Sequence, residues 1–201
     1  MQRTHARGGR RAWTLIAPAL TVAAVGIFVW ALRPGYQNAV AGMPAPSFSL
    51  PEARGGRCDL TNLLTTRRAV LLSFLDARSK PLSRIVADPS RGQLVFLKSM
   101  AQQYASKGLA VVIVGCDGLS HGHTLVPRAL LNLNYDWQLD GVPVLWDDYQ
   151  ATALRYGVFT LPTTFLVASD GRIQRRWDGF VAPAQLALTV ESLLGPPLFR
   201  R

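Results

Sequence analysis

Tyr156-Gly157-Val158-Phe159-Thr160-Leu161-Pro162-Thr163-Thr164-Phe165-Leu166-Val167, closed by Asp170-Gly171, is the stretch from which the rest of the chain can be ordered. Thr163 to Val167 is a β-branched and aromatic run of strand length, and Ile173 to Trp177 is a second one. Asp-Gly between them accepts the positive φ angles of a tight turn, so the two runs are predicted to pair as a hairpin. Pro162 can open the first strand without removing a ladder hydrogen bond. An X-Pro peptide becomes cis at a cost of only about 0.5–1 kcal/mol, so the sequence permits either isomer at Leu161-Pro162.

Working outward, Ala69 to Leu75 and Leu109 to Val114 are compact apolar runs, read as central strands buried on both faces. Between them Leu94, Leu97, Ala101 and Tyr104 keep a 3.6-residue period that ends at Gly108, which predicts a helix and a right-handed parallel crossover. Ser47 to Leu50 and Arg57 to Leu60 flank Gly55-Gly56 as a short hairpin, and Asp76 to Asp88 reads as irregular. Leu125 to Leu133 and Asp148 to Tyr156 are predicted helices, with a short strand at Val144 to Trp146. The last helix is predicted to begin at Pro183 and stop at Gly195-Pro196.

The 201 residues, 49% of them hydrophobic, suffice for one domain with a core plus an appendage. A net charge of +10 suggests nucleic acid until it is mapped: Arg3, Arg7, Arg10, Arg11, Arg200 and Arg201 hold six of the 22 cations in two tails. A nucleic-acid site gathers its cations on a folded face, so no nucleic-acid partner is expected. Trp13 to Leu32 contains no charge and lies between Arg11 and Arg33. As a helix it would span about 30 Å, the thickness of the hydrocarbon layer.

Trp13 and Trp30 suit the two interfaces, and the four arginines before the run place the N-terminus in the cytoplasm. The expected organisation is a basic cytoplasmic tail over residues 1–12, a transmembrane helix over 13–32, a linker over 33–45, an extracytoplasmic domain over 46–196 and a tail over 197–201. Ala39-Val40-Ala41 has the form of a signal-peptide cleavage site, but it lies some seven residues past the apolar run, which favours a retained single-pass anchor.

The order of elements, together with Gly42-Met43-Pro44-Ala45-Pro46-Ser47-Phe48-Ser49-Leu50 and the Gly157-Val158 to Val167 block, resembles the membrane-anchored TlpA/ResA-like proteins of the redoxin (AhpC/TSA) branch over Gly42 to Gly195. The resemblance implies an α/β thioredoxin-like fold: a central mixed β-sheet flanked by helices, with an N-terminal β-hairpin. It implies a cis proline at Pro162, with Leu161, Pro162 and Thr163 as the site for an extended substrate, and no cofactor. It also implies a Cys-x-x-Cys where the first central strand meets the long helix, whose N-terminus would lower the thiol pKa.

The dithiol is missing. Counted from the strand, the motif would fall on Ser79-Lys80-Pro81-Leu82; counted from the helix, on Ala87-Asp88-Pro89-Ser90. The helix-side register fits better and implies an insertion of about eight residues in the preceding loop; neither register holds a sulfur atom. An alcohol neither ionises near neutral pH nor forms a disulfide, so Ser79 or Ser90 cannot take over dithiol exchange or a peroxidatic role. Ser90 beside Asp88 and Pro89 is read as part of a capped first helical turn.

The two cysteines, Cys58 and Cys116, are 58 residues apart. Cys116 ends the second central strand, on the edge where parallel strands collect ligand sites, so it stands either as an unconventional catalytic thiol or as a small inert core side chain. A Cys58–Cys116 disulfide would suit an oxidising compartment but needs Cα atoms within about 7 Å. Cys116, His121 and His123 form a second, metal-binding possibility, since thiolate and imidazole suit zinc or copper, although His-Gly-His in a Ser/Gly-rich loop also reads as a solvated turn.

Trp137, Trp146 and Trp177 sit in or beside apolar runs and are read as packing. Arg175 and Arg176 are read as a solvated strand edge. Two functions follow: a redox-silent module holding an extended segment of an extracytoplasmic partner, or an oxidoreductase using Cys116 with or without Cys58.

Overall fold

A computed structural model describes residues 39–77, 89–116 and 126–196, with backbone alone for 126–131. The predicted transmembrane helix, both tails, Ser79, Leu82, Ala87, His121 and His123 lie outside these residues. No helix among the described residues is long and apolar enough to cross a membrane.

The elements run β1 (Ser49–Pro51), β2 (Arg57–Asp59), α1 (Leu60–Thr66), β3 (Ala69–Asp76), α2 (Pro89–Tyr104), β4 (Leu109–Cys116), α3 (Val126–Trp137), β5 (Val144–Trp146), α4 (Ala151–Arg155), β6 (Thr163–Ala168), β7 (Ile173–Asp178) and α5 (Pro183–Leu194). Five strands form one sheet in the order β5-β4-β3-β6-β7. β4 lies parallel to β3 and β5, whereas β6 is antiparallel to β3 and β7. β3 is central because both of its faces are apolar. Leu71 and Leu75 enter one core with Leu94 and Leu97 of α2 and Leu186 and Val190 of α5, while Val70, Leu72 and Phe74 enter a second with Tyr156, Phe165 and Leu60.

Each such fully buried side chain contributes roughly 1.5–3 kcal/mol. Ser73 is the polar exception within β3, and its hydroxyl meets the Thr164 hydroxyl of β6 at 2.8 Å, so neither is orphaned. Trp177 is buried, and Trp137 and Trp146 pack against the same core, in the packing roles expected of them.

Two expectations about the elements are corrected, and one element is added. Residues 39–45 are not a free linker: Ala39 is 2% exposed, Gly42 N–H donates to Ile173 O at 2.7 Å, and Ile173 N–H donates to Met43 O at 2.9 Å. β7 is an edge strand with open backbone groups, and this segment fills them; the domain therefore begins by Ala39 rather than at Pro46. The helix predicted over Asp148 to Tyr156 is broken, because Tyr149 and Gln150, within the 3-10 turn Asp148–Gln150 that precedes α4, take left-handed φ values of 53° and 54°. α1 escapes sequence reading, since its Thr- and Asn-rich seven residues bury little beyond Leu60. The opposite sheet edge is also covered: Ala53 of the β1–β2 turn donates its N–H to Val144 O of β5 at 2.8 Å.

Candidate functional site

The sheet topology brings four chain segments to one edge. Phe74 of β3 stands beside Thr163 of β6, and Thr163 beside Asp178 of β7, so the Leu161-Pro162 peptide lies at the edge where β3 and β4 end. That peptide is cis. Pro162 O accepts the Gly179 N–H at 2.8 Å. The Thr163 hydroxyl donates to Thr160 O at 2.7 Å, with Asp178 Oδ1 at 3.3 Å.

These bonds hold the corner on both sides and leave its middle open. The N–H and C=O of the half-buried Leu161 have no hydrogen-bond partner among the described residues. An unpaired backbone donor and acceptor on one residue is what an added strand pairs with.

Two aromatic rings flank the corner in sequence and in bonding, Phe159 at 68% exposed and Phe180 at 49%, the latter following Gly179, which is bonded to Pro162. Phe180 lies on α2, with its ring 5.9 Å from that of Phe96. Gly92 makes room for it, because a Cβ there would come within 3.1 Å of the Phe180 ring. Gly92→Ala should therefore move the Phe180 ring outward. Helix propensity gains roughly 1 kcal/mol from the same change, so net stability should shift by less than about 1 kcal/mol. The check is a changed Phe180 ring shift by NMR with a nearly unmoved denaturation midpoint.

Ser90 lies in the first turn of α2, as expected, and is 2% exposed. Its hydroxyl oxygen accepts the Asp76 N–H at 3.3 Å, so it ties the start of α2 to the end of β3. Three residues on, Gln93 accepts the Val181 N–H at 3.0 Å, and its buried amide nitrogen has no partner among the described residues.

The thiols are sealed. Cys116 ends β4 beside Asp76 of β3, at the shared edge, and is 0% exposed. Two strand spacings, about 10 Å, separate it from the β6 corner. Burial pushes its thiol far above the ordinary range, and the carboxylates of Asp147 and Asp76 push it further. Asp147 is itself buried; burial raises its pKa, against the opposing pull of the Thr152 and Ala153 N–H groups, which it accepts at 2.8 and 2.6 Å as a cap for α4.

Cys58, on β2 opposite Leu50, is pushed up to about 11 by burial first and by Glu52 and Asp59 after it. A reactive thiol needs the reverse setting, with cations or a helix N-terminus favouring thiolate. Both cysteines are free, so the disulfide considered for them is not formed. Among the described residues no group of three His, Cys, Asp or Glu side chains could hold a metal.

Arg176 departs from its expected place on a solvated edge: its side chain is 15% exposed and bonds to Tyr156 O, Gly157 O, Ala39 O and Asp178. Arg175 is exposed, as expected. Sequence reasoning missed Arg176, the Phe159 and Phe180 rim and the Asp147 cap. Only the last carries a local signal, an Asp shortly before a short helix.

A five-stranded mixed sheet, with helices on both faces and a cis proline opening the antiparallel strand beside the long helix, defines a thioredoxin-like protein. The chain belongs to the AhpC/TSA family, which matches residues 41–176. Within it the chain lies in the TlpA/ResA-like redoxin branch.

It is 25% identical over 177 residues to the thiol-disulfide oxidoreductase ResA of Geobacillus thermodenitrificans, covering 87% of this chain and 90% of that protein. The ResA of Bacillus anthracis is 25% identical over 145 residues, 72% of this chain and 73% of its own length. Among solved structures, a thiol-disulfide oxidoreductase from Bacteroides fragilis superposes with a TM-score of 0.58 at 22% identity, covering 75% of this chain and all (100%) of that one. The exposed lipoprotein thioredoxin of Streptococcus pneumoniae gives 0.58 at 18% identity, with coverages of 74% and 100%.

Proposed function

We propose that this redoxin-family chain is a membrane-anchored, extracytoplasmic module that has given up dithiol exchange and holds an extended segment of another extracytoplasmic protein at the Leu161-Pro162 corner. The observation that carries the reading is the contrast at one sheet edge: a Leu161 N–H and C=O with no partner among the described residues, flanked in the chain by exposed aromatic rings, and a fully buried thiol two strands away. Two backbone bonds fix an incoming strand's direction, and Phe159 and Phe180 cover apolar side chains to either side of it. The anchor over residues 13–32 would keep the module at the membrane surface.

A single set of membranes tests both parts. After an alkaline wash that retains only integral proteins, the chain should stay with the membrane and fail to reduce insulin above the dithiothreitol background. A photoreactive residue at Phe159 should crosslink to reduced, carboxymethylated insulin chains, and Phe180→Asp should cut the yield about tenfold, the effect of losing about 1.4 kcal/mol of contact. Insulin reduction that disappears in Cys116→Ser would instead establish the thiol oxidoreductase reading.

A further inference from the structure

The Arg176 guanidinium has five N–H donors, and the structure uses all of them. Nε faces both Asp178 oxygens at 3.0 Å; Nη1 donates to Tyr156 O at 3.2 Å and Ala39 O at 3.3 Å; Nη2 donates to Gly157 O at 2.8 Å and Asp178 Oδ1 at 2.8 Å. Its carbon lies 5.4 Å above the centre of the Phe165 ring. Three separate pieces of chain therefore meet on one cation: the N-terminal segment through Ala39, the turn that leads into the Pro162 corner through Tyr156 and Gly157, and the end of β7 through Asp178.

Asp178 in turn lies 3.3 Å from the Thr163 hydroxyl, one residue past the proline. The loop of residues 157–162 is thus gripped at its start by the guanidinium and near its end by the guanidinium's own counter-ion. Leu161, whose N–H and C=O have no partner among the described residues and form the proposed peptide site, lies between the two grips.

We infer that Arg176 is the positioning residue of this corner: it sets where the Leu161 backbone stands, and it makes that position depend on the docking of Ala39. This rests on the peptide-binding reading given above. A carbonyl-binding fork of this shape is specific to arginine. Lysine offers three donors around a point charge and cannot reach carbonyls on two chain segments while pairing bidentately with a carboxylate.

The first test needs no bound peptide and no variant. In ¹⁵N NMR spectra of the full chain in micelles, the Nη groups of Arg176 should be separately resolved and slow to rotate, whereas those of exposed Arg175 should be averaged. An averaged Arg176 signal overturns the inference.

The second test is Arg176→Lys in the full chain. Amide exchange at Gly157 and Val158, which are bonded to Leu154 O and Ala153 O, should quicken at least about tenfold, with β3 and β4 amides unchanged. Capture of carboxymethylated insulin chains should fall by a similar factor. Native exchange rates in the loop, or quickening spread evenly through the sheet, would show a charge or a generic core residue instead.

If the native chain captures no insulin chain while the exchange result holds, the peptide-binding reading fails and the positioning role stands. The native-chain NMR result decides the matter even where the lysine variant does not fold.

Discussion

Iodoacetamide should alkylate Cys58 of the folded chain at least about ten times more slowly than a free thiol at pH 7.5, and Cys116 only when the fold opens. The thiolate is the reacting form. With its pKa pushed from the ordinary value to about 11, Cys58 carries roughly one hundredth of the usual thiolate near neutrality. A more basic thiolate is also more nucleophilic, with a Brønsted slope near 0.4–0.5, which returns a factor of about ten.

Ionisation alone therefore leaves roughly tenfold protection, and the 8% exposure of Cys58 adds steric protection to it. Cys116, at 0% exposure and with a thiol pushed higher still, should show alkylation that tracks unfolding in a denaturant series. The pH dependence has a definite sign. A thiol whose folded pKa exceeds its unfolded one favours the folded state below the unfolded pKa, and that contribution is lost as pH rises through the folded value. For Cys58 this puts the loss between about 9 and about 11, where its alkylation should accelerate as well. A cysteine that reacts at the free-thiol rate at pH 7.5 would contradict the sealed geometry and favour the oxidoreductase reading over the proposed one.

Tyr156→Ala should destabilise the domain by about 3–5 kcal/mol, the range for removing a fully buried aromatic ring, and leave the corner without a base. The Tyr156 ring is 0% exposed and meets Phe165 at 5.0 Å and Phe74 at 5.3 Å between centroids. Its hydroxyl donates to Pro46 O at 2.7 Å, and its own carbonyl is held by Arg176. The residue thus joins the segment before β1, the core under β3 and β6, and the loop that carries Leu161. Tyr156→Phe keeps the ring and removes one bond to a carbonyl, so it should cost about 0.5–1.5 kcal/mol. Equal denaturation midpoints for the two variants would refute the division of labour between ring and hydroxyl.

Much of this molecule is local enough to be read in sequence. The two central strands are apolar on both faces, so Ala69 to Leu75 and Leu109 to Val114 announce themselves without knowledge of their neighbours. The β6–β7 hairpin carries its turn chemistry in Asp170-Gly171, and Pro183 and Gly195 bound α5 for reasons of backbone geometry alone. Residues 39–45 and α1 were hidden for the opposite reason. Gly, Pro and Ala have no periodicity, and the partner that orders the segment, the open edge of β7, lies some 130 residues further along.

The site divides along the same line. Ser79-Lys80-Pro81-Leu82 and Ala87-Asp88-Pro89-Ser90 contain no sulfur, and that is a matter of composition, decided before the chain folds. Which environment each remaining thiol receives is not. Cys116 looks like a strand-end residue beside a ligand edge, and only the arrangement of β3, β4 and β5 surrounds it with Asp76, Asp147 and a dry core.

Arg175 and Arg176 are neighbours of the same type, indistinguishable in sequence. The pleat of β7 sends one to solvent and the other over Phe165 into five hydrogen-bonding positions. The chain by itself determined the strands, the turns, the missing dithiol and the proline corner, because each depends on residues within a few positions of one another. Solvent exposure, thiol ionisation and the grip of Arg176 were decided by the tertiary structure, because dielectric and hydrogen-bond partners are properties of whatever surrounds a group in space.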